Sequence, residues 1–200
     1  RIIALKPDLV IVNREENRKE DVEAIQEADI PVWITYPKTV QDALNLLWGI
    51  MNIFNETSMS PRVRLIESTY DWLFGISESR EEESPCKVFV PIWWKPLMTF
   101  NRDTYLHDLL HVCGGVNVFG DHAERYPKIT LEDVEKAQPD VVLLPTEPYV
   151  FKDADVAHFA ALDIPAAKDG KIYVVDGSYL TWHGTRVAYA LNTIPAMLCP

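Results

Sequence analysis

The chain has 200 residues, 48% of them hydrophobic, with 19 Lys and Arg against 30 Asp and Glu for a formal net charge of −11. That apolar share excludes a disordered chain, and the length suits one large domain or two small lobes with cores of their own. The acidic balance argues against binding nucleic acid or anionic lipid through a general basic surface, and no apolar run reaches the roughly 20 residues that cross a bilayer.

In chain order, Ala4 to Val12 is the first structured phrase. Pro7 and Asp8 stop whatever precedes them, because proline disfavours helix in the residue before it and donates no backbone hydrogen bond. The run Leu9-Val10-Ile11-Val12 is short and β-branched, the pattern of a parallel strand buried on both faces. A polar helix over Lys19 to Ala28 and a strand at Ile30 to Ile34 follow, and Thr39 with Asp42 forms a capping box for a helix through Leu47 and Trp48. Ser60 as N-cap and Pro61 in the first turn predict another helix, with Val63, Ile66, Tyr70 and Leu73 as its apolar stripe. It fades into the charged run 77–84, read as a solvated helix end or linker.

A strand from Lys87 to Ile92 leads into Trp93, Trp94 and Phe100, and a helix from Thr104 to Val112 is stopped by Gly114 and Gly115. Thr130 and Asp133 cap the next helix, which delivers Lys136 to Leu144. This stretch repeats the opening phrase, with Pro139-Asp140 matching Pro7-Asp8. Ala154 to Leu162, Ile164-Pro165, the strand Ile172 to Val175 and a helix beginning near Gly184 or Thr185 complete the second round. Strand starts about 25 residues apart suit βαβ units, whose crossover helix needs at least a dozen residues. The predicted fold is therefore α/β: two α/β lobes with central parallel sheets joined by one long helix. The boundaries are 1–58 for a partial N-terminal lobe, 59–84 for the connecting helix and 85–200 for the C-terminal lobe.

Open parallel sheets bind ligands outside the carboxyl ends of their strands, so the candidate residues lie in the loops after those strands. These loops hold Asn13 and Arg14, then Tyr36, then Trp93, Trp94 and Phe100, then Glu147-Pro148-Tyr149, and finally Tyr179, Trp182 and His183. Clustered aromatics offer flat, rigid contact suited to a large planar or macrocyclic ligand. Alternation along an extended segment turns one of Trp93 and Trp94 inward. His107 and His111 are four apart on a helix, a metal-site spacing, but Asp108 stands where a metalloprotease has Glu, and a satisfied histidine pair is the favoured reading. His183 could ligate haem iron, sit against a corrin ring or simply pack its loop. No phosphate loop, dinucleotide fingerprint or nucleophile elbow is present, which weakens an enzyme reading. Cys86, Cys113 and Cys199 form no metal motif, leaving one disulfide or three thiols open.

The phrase Arg1 to Val10, the segment Thr104 to Leu110 running into Cys113-Gly114-Gly115-Val116-Asn117-Val118-Phe119, and the Pro139-Asp140 strand together resemble the helical-backbone (class III) substrate-binding proteins of ABC importers, nearest the cobalamin-binding branch. That resemblance implies a receptor for cobalamin or another corrinoid, with haem, a ferric siderophore or a metal ion as alternatives, and no catalytic cofactor. A metal-chelatase-like enzyme on the same plan, with Glu147 or Asp121 as its acid, is the alternative of another class. The resemblance implies a ligand held between the lobes by Trp93, Trp94, Phe100, Tyr179, Trp182, Asn13 and Arg14, to which His183 is added from its place after a strand end, and Glu147 as a residue docking on the membrane permease, with an ordinary loop carboxylate as the other reading. It further implies a periplasmic or extracytoplasmic location, membrane contact only through an anchor outside this chain, and a bridge from Cys113 toward Cys199, which lies about one turn past the matching place. Family members begin with an additional strand, helix and strand, so the first lobe is expected to be truncated here.

Overall fold

Each copy of the Pro-Asp phrase leads into a parallel strand in the structure, a computed structural model that describes residues 1–80 and 85–198. The chain divides into two compact units, Arg1–Pro37 and Lys38–Pro200.

The first unit contains α1 (Ile2–Leu5), β1 (Val10–Asn13), α2 (Lys19–Glu27) and β2 (Val32–Thr35). The strands pair in parallel from Val10 opposite Val32 to Asn13 opposite Thr35. The second strand begins at Val32, later than the sequence predicts, because Pro31 has no N–H to give the ladder; its carbonyl instead accepts the Val10 N–H at 2.9 Å. Val12, Val22, Ile25 and Ile30 form the small core. The Thr35 hydroxyl donates to the Val12 carbonyl at 2.9 Å, so the one buried polar side chain of this unit is satisfied. The helical turn α1, ended by Lys6 in a left-handed conformation at φ 49°, was not predicted.

In the second unit, α3 (Val40–Ile53) and α4 (Ser60–Arg80) precede β3 (Cys86–Phe89), α5 (Tyr105–Val112), β4 (Gly115–Asn117), α6 (Leu131–Ala137) and β5 (Val141–Pro145). Then come α7 (Asp153–Ala160), α8 (Pro165–Lys168), β6 (Ile172–Val175), α9 (Ser178–Thr181) and α10 (Val187–Met197). The four strands lie in the order β4-β3-β5-β6, all parallel. On one face Val88, Val90, Val141 and Leu143 pack with residues of α3, α4, α5 and α10; on the other Phe89, Val142 and Leu144 pack with α6, α7 and α8. This two-sided burial is the reason β5 reads as a continuous apolar run.

Thr39 and Asp42 form the predicted capping box on α3, as Thr130 and Asp133 do on α6. A further carboxylate assists α3: Asp108, from α5, accepts the Val40 N–H at 2.7 Å, and Lys38 pairs with Asp103 just before α5. Negative charge at a helix start satisfies otherwise orphaned N–H groups and complements the helix dipole. The Pro-Asp motif has its own task. The Asp140 carboxylate accepts the Lys87 N–H and the Asp140 N–H donates to the Lys87 carbonyl, both at 2.8 Å, which fixes β5 against β3.

In α4 the predicted stripe is buried at Val63, Ile66 and Leu73, with Tyr70 half-buried. Ser60 is its first helical residue and the Met59 carbonyl accepts the Arg62 and Val63 N–H groups, so the cap lies one place earlier than predicted. Residues 81–84, where the predicted helix ends, lie outside the described residues. The sequence reading missed β4, α8 and α9, all of three or four residues. Among the described residues no helix is long and apolar enough to cross a membrane.

Candidate functional site

The loops after β3, β5 and β6 gather at the carboxyl end of the four-stranded sheet. After β3 the chain doubles back: the Ile92 N–H donates to the Met98 carbonyl at 2.8 Å and the Met98 N–H to the Trp93 carbonyl at 3.0 Å. Trp93 remains 43% exposed. Trp94 turns the other way, stacking on His158 at 4.7 Å and meeting Phe151 and Phe159 edge-on. The pleat thus places one indole outward and one in the wall beneath it. Phe100 is a correction to the predicted ligand set. It is 1% exposed and lies in the core, because the Thr99 hydroxyl bound to the Val90 carbonyl and the Asn117 amide bound to the Phe100 carbonyl hold the segment with that ring inward.

After β5, Tyr149 contacts Trp93 edge-on at 5.7 Å and Phe151 at 4.7 Å. The β5 and β6 loops are joined by the Thr146 N–H to the Val175 carbonyl and the Gly177 N–H to the Thr146 hydroxyl, each at 3.0 Å. Here glycine is required by close approach: a Cβ on Gly177 would lie 2.4 Å from the Glu147 Cγ and 2.5 Å from the Glu147 backbone nitrogen. Glu147 is half-buried, with Oε1 sequestered and without a hydrogen-bond partner.

After β6, Tyr179 is half-buried and stacks on Tyr189 at 5.7 Å with rings nearly parallel, and the Arg186 guanidinium lies 5.4 Å over Tyr189. Trp182 projects at 54% exposure. His183 is half-buried and meets the ring of Tyr105 edge-on at 4.6 Å. Tyr105 is itself buried, and that burial drives its phenol far above the usual range.

One aromatic escaped the sequence reading. Thr99 and Asn101 donate their N–H groups to the Pro127 and Arg125 carbonyls, drawing the segment 125–128 alongside the β3 loop. Tyr126, 41% exposed under the Arg125 guanidinium at 5.3 Å, therefore belongs to the same end of the sheet. A tyrosine before proline in a polar connection was its only signal.

The two helical histidines part company. His111 approaches Glu78 at 3.3 Å and Phe74 edge-on, whereas His107 lies against Gly120, and burial followed by the charges of His111 and Arg102 lowers its pKa. Among the described residues no group of three or more His, Cys, Asp or Glu side chains could hold a metal ion. Asp121 is 91% exposed and paired with Arg102. Cys86 and Cys113 are both buried, and burial raises the Cys113 thiol; Cys199, its expected partner, lies outside the described residues.

In the first unit the Asn13 side chain is engaged in its own turn, accepting the Glu15 N–H at 2.8 Å. Arg14 is exposed, and its guanidinium lies 5.0 Å over Tyr36.

Parallel β-α units whose strand ends carry rigid aromatics match the α/β binding proteins of the helical-backbone class. The chain belongs to the periplasmic binding protein family, whose model matches residues 1–179. It is 22% identical over 180 residues to a vitamin B12-binding protein of Vibrio parahaemolyticus, covering 90% of this chain and 64% of that relative. A vitamin B12-binding protein of Pectobacterium atrosepticum is 25% identical over 150 residues, covering 72% of this chain and 53% of its own length. The chain thus spans between about half and two thirds of these relatives. Among solved structures, the periplasmic vitamin B12 binding protein BtuF of Vibrio cholerae superposes with a TM-score of 0.77 at 18% identity, over 98% of this chain and 75% of that one. The periplasmic heme-binding protein BhuT with two hemes superposes with a TM-score of 0.79 at 18% identity, over 98% and 76%.

Proposed function

We propose that this chain serves as the substrate-capturing receptor of an ABC importer, acting outside the cytoplasm, and that its ligand is a bulky metal-containing molecule, cobalamin or another corrinoid. The observation that carries this reading is the set of outward aromatics at the sheet's carboxyl end, Trp93 with Tyr149 beside it, and Trp182. The vitamin B12-binding relatives support the ligand class. Trp94 in the wall, Tyr179 on Tyr189 and His183 on Tyr105 hold these loops in place, which reduces the ordering cost of binding. Arg14 on Tyr36 offers a comparable surface on the first unit.

Equilibrium titration with cobalamin, cobinamide, haem and a ferric siderophore, followed by absorbance and intrinsic fluorescence, tests the reading. Cobalamin and cobinamide are expected to saturate, and Trp93→Ala and Trp182→Ala each to weaken binding by about tenfold, the loss of about 1.4 kcal/mol expected for an aromatic anchor. No response to any of the four would overturn it.

Haem is the second reading. Arginines laid on tyrosines, Arg186 on Tyr189 and Arg125 on Tyr126, suit carboxylates attached to a flat macrocycle. Loss of a Soret shift in His183→Ala would favour haem ligated by that residue. Catalytic turnover of a bound ligand would instead favour a chelatase-like enzyme.

A further inference from the structure

We propose that the groove along the outer edge of β4 is a second binding site, for a small amphipathic carboxylate. Among the described residues β4 is an edge strand with β3 as its single neighbour in the sheet. Beside it lies an open groove of about 410 Å³, lined by Lys87, Arg102 and His107 at polar positions and by Val116, Val118 and Ala137 at apolar ones. That volume falls within the roughly 300–1,000 Å³ of small-molecule sites.

The charge is notable for its setting. In a chain of net charge −11 the groove carries Lys87 and Arg102 against the single carboxylate of Asp121. Arg102 is positioned from behind, since its backbone N–H and its Nε both reach the Gly120 carbonyl, at 3.0 and 3.3 Å. The guanidinium then faces the Asp121 carboxylate, which is 91% exposed. An exposed partner of that kind holds weakly and can be displaced by a ligand carboxylate of the same chemistry.

The second observation is the His107 ring, which forms part of the groove wall between the cations and the apolar side chains. Nδ1 of His107 is buried and has no hydrogen-bond partner, although the ring lines the groove. Gly120 covers that ring edge closely, since a Cβ there would lie 3.0 Å from Cε1 and 3.3 Å from Nδ1. Arg102 would hold the ligand's charge, with the imidazole ring as part of the wall beside it. The apolar part would lie along Val116, which is 42% exposed, and Val118 toward Ala137. The requirement for both ends defines the ligand class: an anion with a short apolar body.

Benzoate, with benzamide as its neutral isostere, is the probe, and the readout is NMR of the His107 ring and the Val116 and Val118 methyls. Saturable shifts are expected with benzoate and not with benzamide. Asp121→Asn, which removes the competing carboxylate, should tighten benzoate binding by about two- to fivefold, the weight of one exposed ion pair, and Arg102→Gln should abolish saturation. A gain in Asp121→Asn cannot arise from unfolding. Absence of saturation, an equal response to benzamide, or unchanged binding in Arg102→Gln overturns the site. No cargo is used, so this result is independent of the importer reading.

Discussion

At matching places in the two Pro-Asp phrases stand Ile11 and Leu143, the first 39% exposed and the second fully buried. The local sequence is nearly the same, and so is the parallel strand it forms. What differs is the company. β5 has β3 and β6 on either side and helices over both faces, whereas β1 has β2 as its one strand neighbour among the described residues. Strand type is thus a property of the phrase, while burial, and the stability that follows from it, is a property of the surrounding sheet.

Replacing the matched pair is the strongest way to break this contrast. Leu143→Ala should cost about 2–5 kcal/mol, the transfer loss plus a cavity that sealed walls cannot fill. Ile11→Ala should cost about 1 kcal/mol or less, as a partly exposed side chain does. Urea unfolding of the two variants checks both values, and equal losses would remove the distinction. Next in size are the loops that follow these strands. Gly177→Ala must push a methyl group into the Glu147 backbone, and an overpacking loss of about 1–3 kcal/mol is expected together with weaker ligand binding. In the first unit Asn13→Ala removes one turn hydrogen bond, for about 0.5–1.5 kcal/mol in the same unfolding assay.

The acidic residues of the two phrases sharpen the comparison further. Asp140→Ala should lose about 1 kcal/mol, since its carboxylate holds the Lys87 N–H, and Asp8→Ala at an exposed position should change the melting temperature little. The smallest effect concerns pH. Bonds from the Thr130 hydroxyl and then its N–H keep the Asp133 carboxyl below the usual range. A depressed folded-state value means the stabilisation is present above the unfolded carboxylate pKa of about 3.9 and is lost as pH falls through the lower folded one. Asp133→Asn should flatten that acid limb in thermal melts while leaving the slope near neutrality unchanged.

Much of this architecture is legible in the residues themselves. Proline and aspartate mark where strands start, capping boxes mark α3 and α6, and the period of Val63, Ile66 and Leu73 marks the buried side of α4. β4, α8 and α9 were not legible because three or four residues carry no period, and their form depends on neighbours already in place. Loop membership at the sheet's end was readable from strand order alone. Orientation was not, as Phe100 demonstrates: whether an aromatic faces solvent or core was decided by hydrogen bonds from Thr99 and Asn117, residues without any aromatic signal. Tyr126 reaches the same end through backbone pairing between two irregular segments, which no local pattern announces.

The adjacent tryptophans give the molecule a pair of optical reporters. Trp93, at the surface, should emit as a solvated indole and be open to quenching by a ligand of the proposed kind, while Trp94, stacked on the His158 imidazole, should emit from the wall directly below. With Trp33, Trp48, Trp72 and Trp182 replaced by phenylalanine, ligand arrival would be recorded in the red edge of the spectrum and the integrity of the supporting wall in the blue. Occupancy and folding could then be followed in a single cuvette without a label.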